Sequence, residues 1–272
     1  MEMGLAKMPS LYRNKWFNVT KPAPDAVIRL FCFPYAGGSA QIFQDWCESL
    51  PPEVEVIGVQ YPGRASRFVD PLISSCDGMI EALLPQIMPL LTKPFIFFGH
   101  SNGGMLSFEL ARALQQKAAT NPHLSRQLYH FVSAKRAIHL PARKRALHAL
   151  PDDEFLEELE SLGGTPKEIL AQKELMELFM PVLRSDFALS ETFSYKGEHK
   201  LKCDASLLYG TGDTDVPEAD VLKWHELMDG HVDVRQYDGD HFFINSHKEE
   251  VLDYLNEKLS WFVKQVHYNV ML

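Results

Sequence analysis

The sequence predicts an α/β protein with a mostly parallel central sheet, helices on both faces and a helical insertion. Two observations carry this. Short apolar runs of strand length alternate with longer amphipathic stretches along the 272 residues, the rhythm of repeated βα units. One stretch, residues 151–195, breaks that rhythm, and the pattern resumes after it.

Residues 27–33 (VIRLFCF) read as the first buried strand, ended by Pro34 and the pair Gly37-Gly38. Residues 54–60 (VEVIGVQ) read as the next. Residues 95–98 (FIFF) are a short apolar strand running straight into Gly99, and residues 105–117 then carry helical spacing and good helix formers. Further strands are expected at 128–134, 205–209 and 232–237, and an amphipathic helix at 248–266. The stretch 151–195 is acidic and helical in pattern, punctuated at Gly163-Gly164, Pro166 and Pro181. Long insertions beside a site often gate it. The expectation is therefore one domain, 1–272, with a helical lid inserted at about 141–195 over the C-terminal edge of the sheet.

Composition narrows the function classes. With 46% hydrophobic residues the chain can bury a full core. Its 27 Lys and Arg stand against 36 Asp and Glu, a formal charge of −9. That disfavours nucleic acid, whose phosphates need basic surface, and anionic membranes. Cys32, Cys47, Cys76 and Cys203 are scattered, form no CxxC pair and have no histidines at zinc-ligand spacing. Reduced thiols, the lack of a signal-peptide pattern in the first sixteen residues, and the lack of an 18-residue apolar run point to a cytoplasmic protein.

The sharpest chemical signal is Gly99-His100-Ser101-Asn102-Gly103, a G-x-S-x-G pentapeptide. The pattern alone is common; its setting between an apolar strand and a helix is what a nucleophile elbow requires. Such a turn is tight, so its flanks must be small, as Gly99, Gly103 and Gly104 are. It lifts the Ser101 hydroxyl above the sheet, beside the amides of a helix N-terminus. This points to the α/β-hydrolase fold and a serine nucleophile.

A serine hydroxyl needs a base to take its proton, and in this fold the acid and then the histidine follow the serine in sequence. Among 11 histidines, His241 stands just past the strand 232–237 and the turn Asp238-Gly239-Asp240, where a base could reach Ser101. His231 and His100 are its rivals, although His100, as a neighbour in the elbow, should point away from Ser101. The acid should hold the other imidazole nitrogen. Residues 206–209 lead into Gly210-Thr211-Gly212-Asp213-Thr214-Asp215, and spacing leaves Asp213 and Asp215 even. The oxyanion needs donors. These should be the Asn102 amide, next after the nucleophile, and the Ala36 amide in the glycine loop after the first strand.

These segments together resemble the type II (editing) thioesterases of nonribosomal peptide and polyketide synthesis, and the related medium-chain acyl thioesterase of fatty-acid synthesis. The likeness rests on FCFPYAGGSAQIFQDW (31–46), VQYPGR (59–64), FFGHSNGG with its helix (97–114), LPDDEFLEELESLGGTPKEIL (150–170), PVLRSDFALSETF (181–193), GDTDVPEADVLKW (212–224) and YDGDHFFI (237–244). These run through most of the chain in the family's order. The resemblance implies hydrolysis of acyl thioesters on the phosphopantetheine arm of acyl- or peptidyl-carrier proteins, clearing aberrant or stalled groups through Ser101, His241 and an aspartate. It favours Asp215 as that acid, with Asp213 as rival, and implies the oxyanion donors Ala36 and Asn102, the lid at 150–193 and a monomer. No metal or soluble cofactor is implied, because the phosphopantetheine belongs to the partner. Three departures stand out: Asn102 and Gly104, where relatives usually carry Met and Ala, and Val216, where they often carry Pro after the acid, which keeps Asp213 in play.

The basic residues Lys135, Arg136, Arg143, Lys144 and Arg145 suggest a dock for an acidic carrier. The competing readings are an esterase or lipase acting on oxygen esters, a chain-releasing medium-chain thioesterase, and a noncatalytic hydrolase-like binding protein. The last should lack a triad member, and none is missing. Starting at Met1 with a self-contained N-terminus, the chain reads as free-standing rather than as the terminal domain of a synthetase.

Overall fold

A computed structural model describes residues 10–121, 124–164, 167–197 and 199–271. The apolar runs become strands because both of their faces are covered. These are β2 (Ile28–Phe33), β3 (Val54–Val59), β4 (Phe95–His100), β5 (Gln127–Ser133) and β6 (Ala205–Gly210), and all or most of each strand's residues are buried. Near-continuous burial is what a parallel sheet under two helical layers demands. The edge strand β7 (Val232–Tyr237) is half-exposed and correspondingly more polar.

The order across the sheet is β1-β3-β2-β4-β5-β6-β7. All neighbours are parallel except β1 (Phe17–Asn18), which pairs antiparallel with β3. The chain moves outward from β2 to β3 and then returns to the other side of β2 with β4. The order therefore reverses between β2 and β4, and loops leaving the C-terminal ends of those two strands open a crevice.

One face packs on α1 (Cys76–Ile87) and α2 (Asn102–Ala118), with Met79, Leu83, Met105, Phe108 and Leu114 in its core. The other face packs on the C-terminal helix (Lys248–Met271), whose Val251, Leu255, Leu259 and Phe262 recur at helical spacing. Phe97 contacts Phe31 and Phe33 edge-on across neighbouring strands, at centroid distances of 5.9 and 5.2 Å.

Between β5 and β6 lie three helices: α3 (Asp152–Leu162), α4 (Lys167–Leu170) and α5 (Lys173–Glu191). They share a small core of Leu147, Phe155, Leu159, Met176 and Leu183. Pro181 sits inside α5, and Gly163 ends α3 at φ 71°. Residues 1–9 and Pro166 lie outside the described residues. Among the described residues no helix is long and apolar enough to cross a membrane.

Candidate active site

The elbow is built by strain and glycine. Ser101 sits at φ 55°, ψ −118°, a region that side chains avoid. It is held there by its own amide donating to the Ser133 carbonyl at 2.8 Å and by the Gly104 amide donating to its carbonyl at 2.9 Å. A Cβ on Gly99 would lie 2.2 Å from the Gly103 carbonyl oxygen, and one on Gly103 2.0 Å from the Phe33 carbonyl oxygen. Only glycine fits either place. The second contact also shows that α2 begins directly against the end of β2.

Ser101 Oγ lies 2.9 Å from His241 Nε2. His241 Nδ1 donates to Asp213 Oδ2 at 2.6 Å. Asp213 is 7% exposed, and its other oxygen accepts the amides of Asp215 and Val216 at 3.0 and 3.1 Å. Both carboxylate oxygens are thus satisfied, which fixes the orientation of the side chain. Here the structure departs from the expectation drawn from the resemblance. Asp215 does not reach His241. Its carboxylate is ion-paired with Lys144, while its amide helps hold Asp213. The reason is the path of the Gly210–Gly212 turn: the Gly212 amide bonds to the Gly239 carbonyl, and a Cβ on Gly210 would strike Gly239 and Asp240. This close approach brings Asp213, the first residue after the turn, opposite the loop that carries His241.

The other histidines serve elsewhere. His231 pairs with Asp233 on the exposed edge. His100 is fully buried and faces away from the Ser101 hydroxyl. Its Nε2 lies 2.9 Å from the His241 carbonyl oxygen and its Nδ1 2.9 Å from Ser133 Oγ. Burial pushes its pKa down to about 3, and the neighbouring His241 adds to the shift. It is therefore neutral. A carbonyl only accepts, so the proton sits on Nε2, and Ser133 donates to Nδ1. The ring braces the backbone of His241 from beneath.

Two amides stand at the β2–β4 reversal, those of Ala36 and Asn102. Asn102 is the first residue of α2, where amides have no partner earlier in the helix. Ala36 lies in a turn closed by the Gly38 amide donating to the Tyr35 carbonyl at 2.9 Å, with Gly37 at φ +75°. Sequence reasoning missed what lies behind these amides. The Asn102 side chain donates to the Asp186 carbonyl of α5 at 2.8 Å, and Asp186 forms a buried pair with Arg64. Arg64 and Asp186 stand in the matched segments 59–64 and 181–193, but 122 residues apart, so no local pattern joins them.

The basic cluster is not a free positive surface. Arg136 and Arg143 pair with Asp220, Lys144 with Asp215, and Arg145 with Glu154 and Glu158. Lys135 is half-buried, and desolvation pulls its pKa down to about 8. Among the described residues no three His, Cys, Asp or Glu side chains converge as a metal site.

A thioesterase-domain family model matches residues 28–259. The gramicidin S biosynthesis protein GrsT of Aneurinibacillus migulanus is 37% identical over 246 residues, 90% of this chain and 94% of that protein. The human medium-chain S-acyl fatty acid synthase thioesterase is 31% identical over 269 residues, 95% of this chain and 94% of that one. The solved structure of BorB, the type II thioesterase of the borrelidin biosynthetic cluster, superposes with a TM-score of 0.81 at 30% identity, covering 90% of this chain and 98% of that one.

Proposed function

The chain belongs to the thioesterase family, and from that premise we propose that it removes acyl groups from the phosphopantetheine arm of carrier proteins, as a type II thioesterase does. The observation that supports this most is the line of contacts Ser101 Oγ, His241 Nε2, His241 Nδ1 and Asp213 Oδ2, at 2.9 and 2.6 Å, beside the glycine loop of a thioesterase. The family makes the chain a thioester hydrolase of the serine type; relatives named for peptide and polyketide pathways support the carrier-bound substrate.

The chemistry then follows from the geometry. His241 Nε2 takes the Ser101 proton as Oγ bonds to the thioester carbonyl carbon. The negative charge goes to the carbonyl oxygen, which the amides of Ala36 and Asn102 receive. Asp213 stabilises the imidazolium. Collapse breaks the C–S bond, and the departing sulfur takes the proton from His241. A thiolate leaves readily, so this step asks less of the acid than amide cleavage would. Water then repeats the sequence on the Ser101 ester: His241 takes its proton, the acid is released, and Ser101 recovers its proton.

We assign the helices between β5 and β6 as a lid over this crevice, consistent with α5 lying against Gly37 through Leu183. The paired state of Arg136, Arg143, Lys144 and Arg145 argues against that cluster as the carrier's dock.

The test compares one acyl group presented on a phosphopantetheinyl carrier and as an oxygen ester. Faster release from the carrier is the expected result. Rapid ester cleavage with the carrier untouched would leave the triad standing and overturn the substrate.

A further inference from the structure

Helix α5 reaches the catalytic loops through one residue. Asp186 is 4% exposed, yet its oxygens bond to three segments far apart in sequence. Its Oδ1 accepts from Arg64 Nη2 at 2.8 Å and its Oδ2 from Arg64 Nη1 at 2.5 Å. Oδ2 also accepts the Gly37 amide at 2.7 Å. The Asp186 carbonyl accepts the Asn102 side-chain amide at 2.8 Å. The loop after β2, the loop after β3 and the elbow thus meet on it.

A buried ion pair by itself says little about stability, because desolvation offsets the attraction. The Gly37 bond is the informative one. Gly37 N–H belongs to the central peptide of the turn from Tyr35 to Gly38, and φ +75° at Gly37 is the type II form. Types I and II differ by a flip of that central peptide. Accepting its N–H from the α5 side selects one of them. The Tyr35 carbonyl points into the turn toward Gly38, so in a trans peptide the Ala36 amide points out of it. Arg64, bonded to both oxygens, holds the carboxylate oriented for this task. On the other side, Asn102 Nδ2 ties the first residue of α2 to the same helix.

We propose that Asp186 is a positioning residue of the oxyanion hole: with Arg64 as its counter-ion it locks the turn that presents the Ala36 amide, and through its carbonyl it steadies Asn102, the second donor. This rests on the assignment of those two amides as the oxyanion donors. It makes α5 part of the catalytic frame.

The test uses the full chain and two readouts: hydrolysis of a short acyl thioester, and affinity for an alkyl boronic acid, whose tetrahedral adduct with Ser101 places an oxygen in the hole. Asp186→Asn keeps the shape but not the charge. It should lower kcat by about 10- to 100-fold, part of what losing a whole donor costs, with KM within about threefold. Boronate affinity should fall in step. The paired variant Arg64→Met/Asp186→Leu removes both charges and supplies no acceptor for Gly37. Its Tm should recover toward wild type while kcat and boronate affinity stay low. Unchanged boronate affinity in Asp186→Asn, or kcat restored along with Tm in the paired variant, would overturn the proposal. Should the paired variant stay unstable, Asp186→Asn decides alone. If wild type binds boronate but cleaves no thioester, the proposed function fails and the boronate series still decides the role of Asp186. If wild type does not bind boronate, the oxyanion assignment falls and the proposal with it.

Discussion

At the scale of single residues, catalysis depends on which aspartate faces His241. Asp213 bonds to Nδ1 at 2.6 Å and is itself held by two amides, whereas Asp215 is spent on Lys144. Asp213→Asn should therefore lower kcat by about 10³- to 10⁴-fold, the loss expected when the wrong imidazole tautomer is favoured. Asp215→Asn should leave kcat within about threefold, since only its side chain changes and its amide still supports Asp213. Steady-state thioester hydrolysis by the two variants separates them; the reverse order of effects would contradict the assignment. The sequence could not choose here. Both residues follow Gly210 and Gly212, and the path between those glycines depends on the loop at Gly239, which meets them only in the fold.

The elbow is the element on which most depends, and its three glycines are not equivalent. A Cβ on Gly103 would meet backbone of β2 at 2.0 Å, which no side-chain adjustment relieves. A Cβ on Gly104 would find its nearest atoms at 3.2 to 3.4 Å: the Gly99 carbonyl, Lys135 Cβ and a Val132 methyl. Gly103→Ala should thus abolish activity by displacing α2 from β2. Gly104→Ala should fold and retain activity, because the helix gains about 0.5–1 kcal/mol from losing a glycine and a few tenths of an ångström of give suffices. Thermal melts and kcat of both variants check this. An active Gly103→Ala would refute the packing argument. The strands were legible because burial on both faces leaves unbroken apolar runs, and the elbow because its glycines are forced. Other elements were not legible. Strand β1 has two residues, too few to show a period, and α1 contains Gly78 and Pro85, which dilute its helical pattern. The link from Asp186 to Arg64 and Gly37 joins positions that only the packed α5 brings together.

For the whole molecule, buried neutral histidines set the response to acid. His100 and His130 are both pushed down to about 3 by burial. The unfolded chain takes up protons near the ordinary value of 6.5, which the folded chain refuses. The stability from each histidine is complete above about 6.5 and is lost as pH falls toward 3. Between pH 7 and 5 each should cost about 2 kcal/mol. His130 accepts from Gln127 at Nδ1 and donates to Ser107 from Nε2, away from Ser101. Urea unfolding of His130→Asn should show a pH 7 to 5 loss smaller than wild type by about 2 kcal/mol; an equal loss would mean that His130 is not held neutral. The run of basic residues at 135–145 could not show in sequence that its charges are paired in the fold. Its partners Asp220, Glu154 and Glu158 are supplied by the helices after β5 and β6.

The most direct test of the central claim is the mass of a carrier protein loaded with an acyl group, read before and after a single turnover with wild type and with Ser101→Ala. Wild type should return the carrier to its free-thiol mass, with an acyl adduct on the peptide bearing Ser101 at short times. Ser101→Ala should leave the carrier acylated. Deacylation by Ser101→Ala at the wild-type rate, or an adduct on any other residue, would contradict the account.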